Sequence, residues 1–199
     1  MRDHGNAQKH ETTNPIQRRL IDHFHEQAIA FIRQVQPRRI MEIGCGEGYV
    51  LAAIQQAGVD ADVIGIDLSA EAIDAARERV EPPAELIVGD AREVSRAYAD
   101  RGADLIMMLE VLEHLDQPEQ MLEDLRSIGS GHVLLSVPRE PLFRGLNLAR
   151  LKNVRDLGND PEHINHWSSR RFVEMVSRHF EVVASTRPLP WTMVLARPR

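Results

Sequence analysis

The feature that most restricts the fold of this chain is a short apolar run, Arg38-Arg39-Ile40-Met41-Glu42-Ile43, that breaks into Gly44-Cys45-Gly46-Glu47-Gly48 and resumes as a helical pattern at Tyr49. A strand, a tight glycine turn and a helix make a mononucleotide-binding unit. Glycines at alternate positions let the chain turn sharply and let backbone N–H groups approach a ligand where the helix starts. The rest of the sequence supplies a sheet for this unit. Residues 62–67, 85–88, 103–108 and 132–137 are short and almost wholly apolar. Helical stretches alternate with them: 49–56 with Gly58 behind it, one capped by Ser69 and stopped by Pro82-Pro83, 91–101, and 118–128 followed by Gly129. Apolar strands alternating with helices predict a parallel sheet covered on both faces.

Before this core, residues 1–13 are polar and aperiodic, which predicts a flexible tail. Asn14-Pro15 has the chemistry of a helix start, and Ile16, Leu20, Phe24, Ala28, Phe31 and Val35 recur at helical spacing up to Pro37. After the core, residues 139–167 break the alternation with Pro141, Gly145, Gly158 and Pro161 around a short predicted helix at 146–153. A connection of that length in a compact domain reads as a functional lid. Ser168 or Ser169 then caps a helix through Phe172, Met175 and Val176. Residues 180–184 and 191–196 are separated by so short a turn that they predict a hairpin. The expected fold class is therefore α/β: a Rossmann-like seven-stranded, mostly parallel sheet with helices on both faces and a C-terminal antiparallel hairpin. One domain, residues 14–199, carries an insertion at 139–167.

Composition narrows the function. A chain of 199 residues that is 43% hydrophobic and 27% charged is ordinary for one globular domain. Its single cysteine, Cys45, excludes a disulfide framework and a cysteine-rich zinc site, and favours a reducing, cytoplasmic location. No apolar run approaches the roughly 20 residues that span a bilayer, and the polar first residues predict no signal peptide. A net charge of −6 argues against a surface built to coat nucleic acid. Against that acidic balance, Arg139, Arg144, Arg150, Lys152 and Arg155 form a basic run in the insertion, opposed before Asp156 only by Glu140. It suits a phosphate or carboxylate on a small-molecule acceptor, or an anionic membrane surface; a solvated helix face is the plainer alternative. A monomer or a homodimer fits this size.

Acidic residues stand where the strand ends need them. Asp67 closes the second strand, 21 residues after Gly46, where a carboxylate can accept the hydroxyl protons of a ribose. This spacing also fits nicotinamide dinucleotide proteins. Taken together, Glu42-Ile43-Gly44-Cys45-Gly46-Glu47-Gly48, Asp67, Gly89-Asp90-Ala91 and the terminal hairpin resemble the class I S-adenosylmethionine-dependent methyltransferases, above all small-molecule enzymes of the ubiquinone-biosynthesis type. The resemblance covers residues 38–137 by motif and the hairpin by topology. It implies that Gly44, Gly46 and Gly48, with Glu42 and Cys45 around them, cradle the methionine part of S-adenosylmethionine. Asp67 and Leu68 take the ribose side, Asp90 accepts from the adenine amino group, and Ala91 offers its N–H nearby. The product is S-adenosylhomocysteine. The hairpin speaks against a dinucleotide fold, which would continue in parallel units.

Beyond the fourth strand lies Glu110-Val111-Leu112-Glu113-His114-Leu115, where open α/β sheets place ligands. Glu110, Arg139, Arg144 and Trp167 are the expected acceptor contacts. His163 and His166, three apart, would meet on a helical turn, and with His114 they are the candidate bases for a protonated nucleophile. A loop-fixing role for His114 is the plainer alternative. The first reading needs no metal. The motif also resembles the small-RNA ribose 2′-O-methyltransferases, which implies Glu110, Glu113, His114, His163 and His166 as ligands of Mg²⁺ or Mn²⁺. A third reading is a cosubstrate-binding partner protein without catalysis.

Overall fold

The computed structural model describes residues 13–93, 102–142 and 163–199. Helix α1 (Pro15–Val35) begins where the sequence places it: the Asn14 side chain accepts from the Ile16 and Gln17 amides at 2.9 and 3.3 Å. There follow β1 (Arg39–Ile43), α2 (Tyr49–Gln56), β2 (Asp62–Asp67), α3 (Ala70–Arg79), β3 (Ala84–Val88), β4 (Leu105–Leu109), α4 (Pro118–Ile128), β5 (His132–Pro138), α5 (Ser169–His179), β6 (Glu181–Thr186) and β7 (Trp191–Arg197). Ser69 caps α3 and Ser168 caps α5, each accepting from a backbone amide three residues on. Gly129 ends α4 in the left-handed conformation.

The seven strands form one sheet in the order β3-β2-β1-β4-β5-β7-β6. Only β7 runs antiparallel to its neighbours, between β5 and β6. The order reverses between β1 and β4, so a crevice opens beyond their carboxyl ends.

Strand alternation divides the core. Ile106 and Met108 of β4 face α4 and α5, where Leu122, Leu125, Phe172 and Val176 are buried. Leu105, Met107 and Leu109 face the other way, onto Phe24, Ala28 and Ile32 of α1 and Leu51 and Ile54 of α2. The central strands β1, β4 and β5 are buried on both faces, which is why they read as almost unbroken apolar runs.

One expectation changes. The buried stripe of α1 is Ile21, Phe24, Ala28 and Ile32, whereas Ile16 is 72% exposed and Leu20, Phe31 and Val35 only flank the core. Both stripes have helical spacing; contact with the sheet selects the one that includes Ile21 and Ile32. After β3, Ala91–Glu93 forms a short 3-10 turn, and the rest of the helix predicted over 91–101, residues 94–101, lies outside the described residues. The tail to residue 12 and the predicted helix at 146–153 lie outside them too. Among the described residues, no helix is long and apolar enough to cross a membrane.

Candidate functional site

The crevice has two halves. In the first, the glycine turn is stitched to β2 by its backbone. The amides of Gly44 and Cys45 both donate to the Ile66 carbonyl, at 2.7 and 3.0 Å. The Asp67 carboxylate accepts from the Gly46 amide at 2.8 Å and from the Ser69 amide at 2.9 Å. Gly44 has φ 76°, and a Cβ there would stand 2.3 Å from Val111 Cγ2. Gly48, also at φ 76°, lets α2 start against α3, because a Cβ would meet Val80 at 2.7 Å. No other residue type suits these two positions.

Two acidic side chains flank the turn. Glu42 is 2% exposed, and its Oε2 makes no hydrogen bond. Burial, reinforced by the Asp67 charge, pushes its pKa up to about 8. Cys45 is buried beside it, and burial, then the charges of Glu42 and Asp67, push its thiol up as well, so it fills space and is no nucleophile. Leu68 follows Asp67 and is 69% exposed.

The Gly89 amide donates to the Asp67 carbonyl at 2.9 Å and brings Asp90 and Ala91 to the same edge. Both oxygens of Asp90 are held by the Arg92 guanidinium, which keeps its pKa below the usual carboxylate range. Arg92 is a neighbour that sequence reasoning passed over.

The second half is built around the exit of β4. Glu110 sits in the left-handed region at φ 61°. Its amide donates to the Ser136 carbonyl at 3.1 Å. Its carboxylate accepts from Ser136 Oγ at 3.2 Å and from the Trp191 indole. Val111 then packs over Gly44, and Leu112–His114 forms a 3-10 turn. Residues 163–167 dock on that turn. The amides of Ile164 and Asn165 donate to the Glu113 carbonyl at 2.9 and 3.0 Å, and Asn165 Nδ2 donates to the Leu115 carbonyl at 2.6 Å.

This docking brings Glu113, His114 and His163 together. Glu113 is 1% and His163 7% exposed, and the His114 and His163 rings meet edge to face with centroids 5.0 Å apart. The three offer ligand atoms within 4.8 Å of one another. A carboxylate and two imidazoles so close can hold a proton between them or take a divalent cation. The helical turn expected to join His163 and His166 is not there: residues 163–166 are irregular and His166 is exposed. The five residues named for a metal thus divide, with Glu110 turned to Ser136 and Trp191 and His166 at the surface.

Among the expected acceptor contacts, Arg139 and Trp167 pair by a backbone bridge, and the Glu140 amide donates to the Trp167 carbonyl at 2.9 Å. The Trp167 ring lies 6.0 Å from Phe172 and so anchors this segment on the core. Arg144, with Arg150, Lys152 and Arg155, lies outside the described residues. Sequence reasoning missed Ser136, Asn165 and Trp191, whose places here follow from strand order and loop docking and not from any local motif.

Comparison with known proteins agrees with this geometry. A family model described as a methyltransferase domain matches residues 15–184. A ubiquinone biosynthesis O-methyltransferase of Bordetella avium (strain 197N) is 34% identical over 95 residues, 44% of this chain and 36% of that protein. The chain spans less than half the length of the curated relatives it matches. The crystal structure of a Pyrococcus horikoshii OT3 protein superposes with a TM-score of 0.72 at 19% identity, covering 97% of this chain and 96% of the other. A magnesium protoporphyrin IX methyltransferase of Synechocystis PCC 6803, crystallised with SAH, gives 0.71 at 17% identity, covering 98% and 92%. At these identities the two structures speak for the fold alone.

Proposed function

Because the chain belongs to the methyltransferase domain family, we propose that it moves a methyl group from S-adenosylmethionine to an oxygen, nitrogen or carbon nucleophile of a small metabolite and releases S-adenosylhomocysteine. The observation that carries this is the buried oxygen of Glu42 that makes no hydrogen bond, set beside the glycine turn and Asp67. An orphaned buried acceptor is costly unless a ligand completes it, and the ammonium of a methionine moiety has the right charge. Gly44, Cys45, Gly46 and Gly48 would hold that moiety by their backbone. Asp67 would take the ribose, with Leu68, Asp90 and Ala91 around the adenine.

The sulfonium supplies an activated methyl group when it is bound. The chain's own task is alignment and, for a protonated nucleophile, a base. His163 and His114 fit that role, with the Glu113 carboxylate beside them to stabilise an imidazolium. A hydroxyl acceptor is the case in which such a base is needed, and the Bordetella avium relative is named an O-methyltransferase. Residues 14–199 would act as one domain, with 139–167 covering the acceptor and Arg139, Arg144 and Trp167 meeting it. Its basic residues suit an anionic group on the acceptor. A cytoplasmic protein that is monomeric or dimeric completes the reading.

Calorimetric titration with S-adenosylhomocysteine tests it. One-to-one binding that weakens at least about tenfold in Asp67→Asn, with the variant still folded by thermal unfolding, is the expected result. Well-folded wild-type protein that binds none of it overturns the reading.

A further inference from the structure

The exit of β4 contains a feature that methyl transfer as described above leaves unused. Glu110 is a non-glycine residue with φ 61°, a strained conformation that persists only where surrounding contacts enforce it. The enforcing contacts come from far along the chain. Ser136 of β5 binds both the amide and the carboxylate of Glu110, and Trp191 at the start of β7 gives its indole N–H to the other carboxylate oxygen. Trp191 in turn lies against Phe24 of α1, ring centroids 4.9 Å apart.

On its other side, the left-handed turn sets Val111 against Gly44. The contact leaves no room for a Cβ on that glycine, so a shift of Val111 is felt directly by the turn. One unbroken line of contacts therefore runs from α1 through Trp191, Glu110 and Val111 to the glycine turn.

We propose that Glu110 is a positioning residue whose carboxylate, held by Trp191 and Ser136, couples the seating of α1 to the shape of the cosubstrate turn. The inference rests on the reading of that turn as the S-adenosylhomocysteine site. Its physical content is a coupling free energy between two places that share no ligand contact. When α1 is seated on Trp191, Glu110 is locked and Val111 closes the turn; when the indole bond is lost, the strained turn relaxes and the glycine loop loses a wall. Binding of the product is then felt at Trp191, and loss of the indole N–H is felt at the turn. Glu110, expected from sequence to meet the acceptor, would thus act through its neighbours.

The test uses the full chain labelled with ¹⁵N and probed with S-adenosylhomocysteine. The indole resonances of Trp167 and Trp191 are told apart with Trp167→Phe. Titration should move the Trp191 indole signal, and Glu110→Gln should move it without ligand. Trp191→Phe keeps an aromatic ring against Phe24 and removes the indole N–H together with part of the ring, so Glu110→Gln, which leaves the indole in place, is its control. Both variants should weaken product binding by about fivefold or more. If both bind as tightly as wild type, the coupling is overturned, even if Glu110→Ala unfolds at a lower temperature, because that would be a purely structural role. A Trp191 signal that ignores saturating product overturns it as well. Wild-type protein that binds no product instead overturns the proposed function, while an indole signal that still responds to Glu110→Gln would show the local lock to be real.

Discussion

The two halves of the crevice are built differently. Around the glycine turn the geometry is made by backbone: amides of Gly44, Cys45 and Gly46 reach Ile66 and Asp67 on the adjacent strand. Around the β4 exit it is made by side chains and loops brought together from distant parts of the chain. Glu110 meets Trp191 across 81 positions, and Asn165 meets Leu115 across 50. A backbone-built site depends on a few residue types at fixed spacing. A side-chain-built site depends on the whole fold being in register before any of its contacts exist. Cosubstrate binding should therefore be sensitive to single atoms in the turn, and the acceptor side should tolerate substitutions in a graded way.

The largest effect should come from Gly44→Ala. The new methyl would lie 2.3 Å from Val111 on a backbone at φ 76°. Overpacking and strain together should cost about 3 kcal/mol in urea unfolding. Val111→Ala in the same chain should return the packing part and leave the backbone strain. A Gly44→Ala protein of wild-type stability would mean that the turn is not the rigid half.

Glu42 gives the next effect and a pH signature. The folded chain keeps a proton on this carboxyl up to about pH 8, against an ordinary value of 4.5. The folded state therefore binds the extra proton, so wild-type stability falls as pH rises through that interval. Glu42→Gln has no proton to lose. Its stability relative to wild type should improve between pH 4.5 and 8, by a few kcal/mol. Its affinity for S-adenosylhomocysteine should drop roughly tenfold if the carboxylate faces an ammonium. Stability curves that run parallel across the interval would show that Glu42 is already ionised in the folded chain.

What could be read from the amino-acid sequence follows the same division. Gly44, Gly46, Gly48, Asp67 and the caps Asn14 and Ser69 were legible because each acts within a few residues or across one βαβ unit. The sheet was legible because strands buried on both faces leave unbroken apolar runs. The stripe of α1 was not, since Phe24 and Ala28 belong to two helical registers and only the sheet beneath selects Ile21 and Ile32. His163 and His166 misled because a three-residue spacing implies a shared face only in a helix. Here Asn165 draws the segment onto the 3-10 turn, buries His163 and leaves His166 outside. Glu113 and His114 gained their partner from that docking. Trp191 and Ser136 carry no local signal, since their meeting with Glu110 depends on β7 lying beside β5.

The smallest effect sharpens the comparison most. Asn165 donates its side-chain amide to the Leu115 and Leu112 carbonyls at 2.6 and 3.3 Å, and its backbone amide to Glu113. Asn165→Ala removes the first two and keeps the third, which should cost about 1–2 kcal/mol. The loss should be local: faster amide hydrogen exchange at Ile164 and Asn165, with the strands of the sheet protected as before. None of these bonds touches Gly44, Gly46 or Asp67. Product affinity should therefore stay within about twofold of wild type, since sites without shared partners act nearly additively, while turnover with an acceptor falls as His163 leaves Glu113 and His114. If Asn165→Ala weakens product binding as strongly as it slows turnover, the docked segment and the glycine turn are one cooperative unit beyond the proposed Glu110–Val111 link, and the division between backbone-built and side-chain-built site fails.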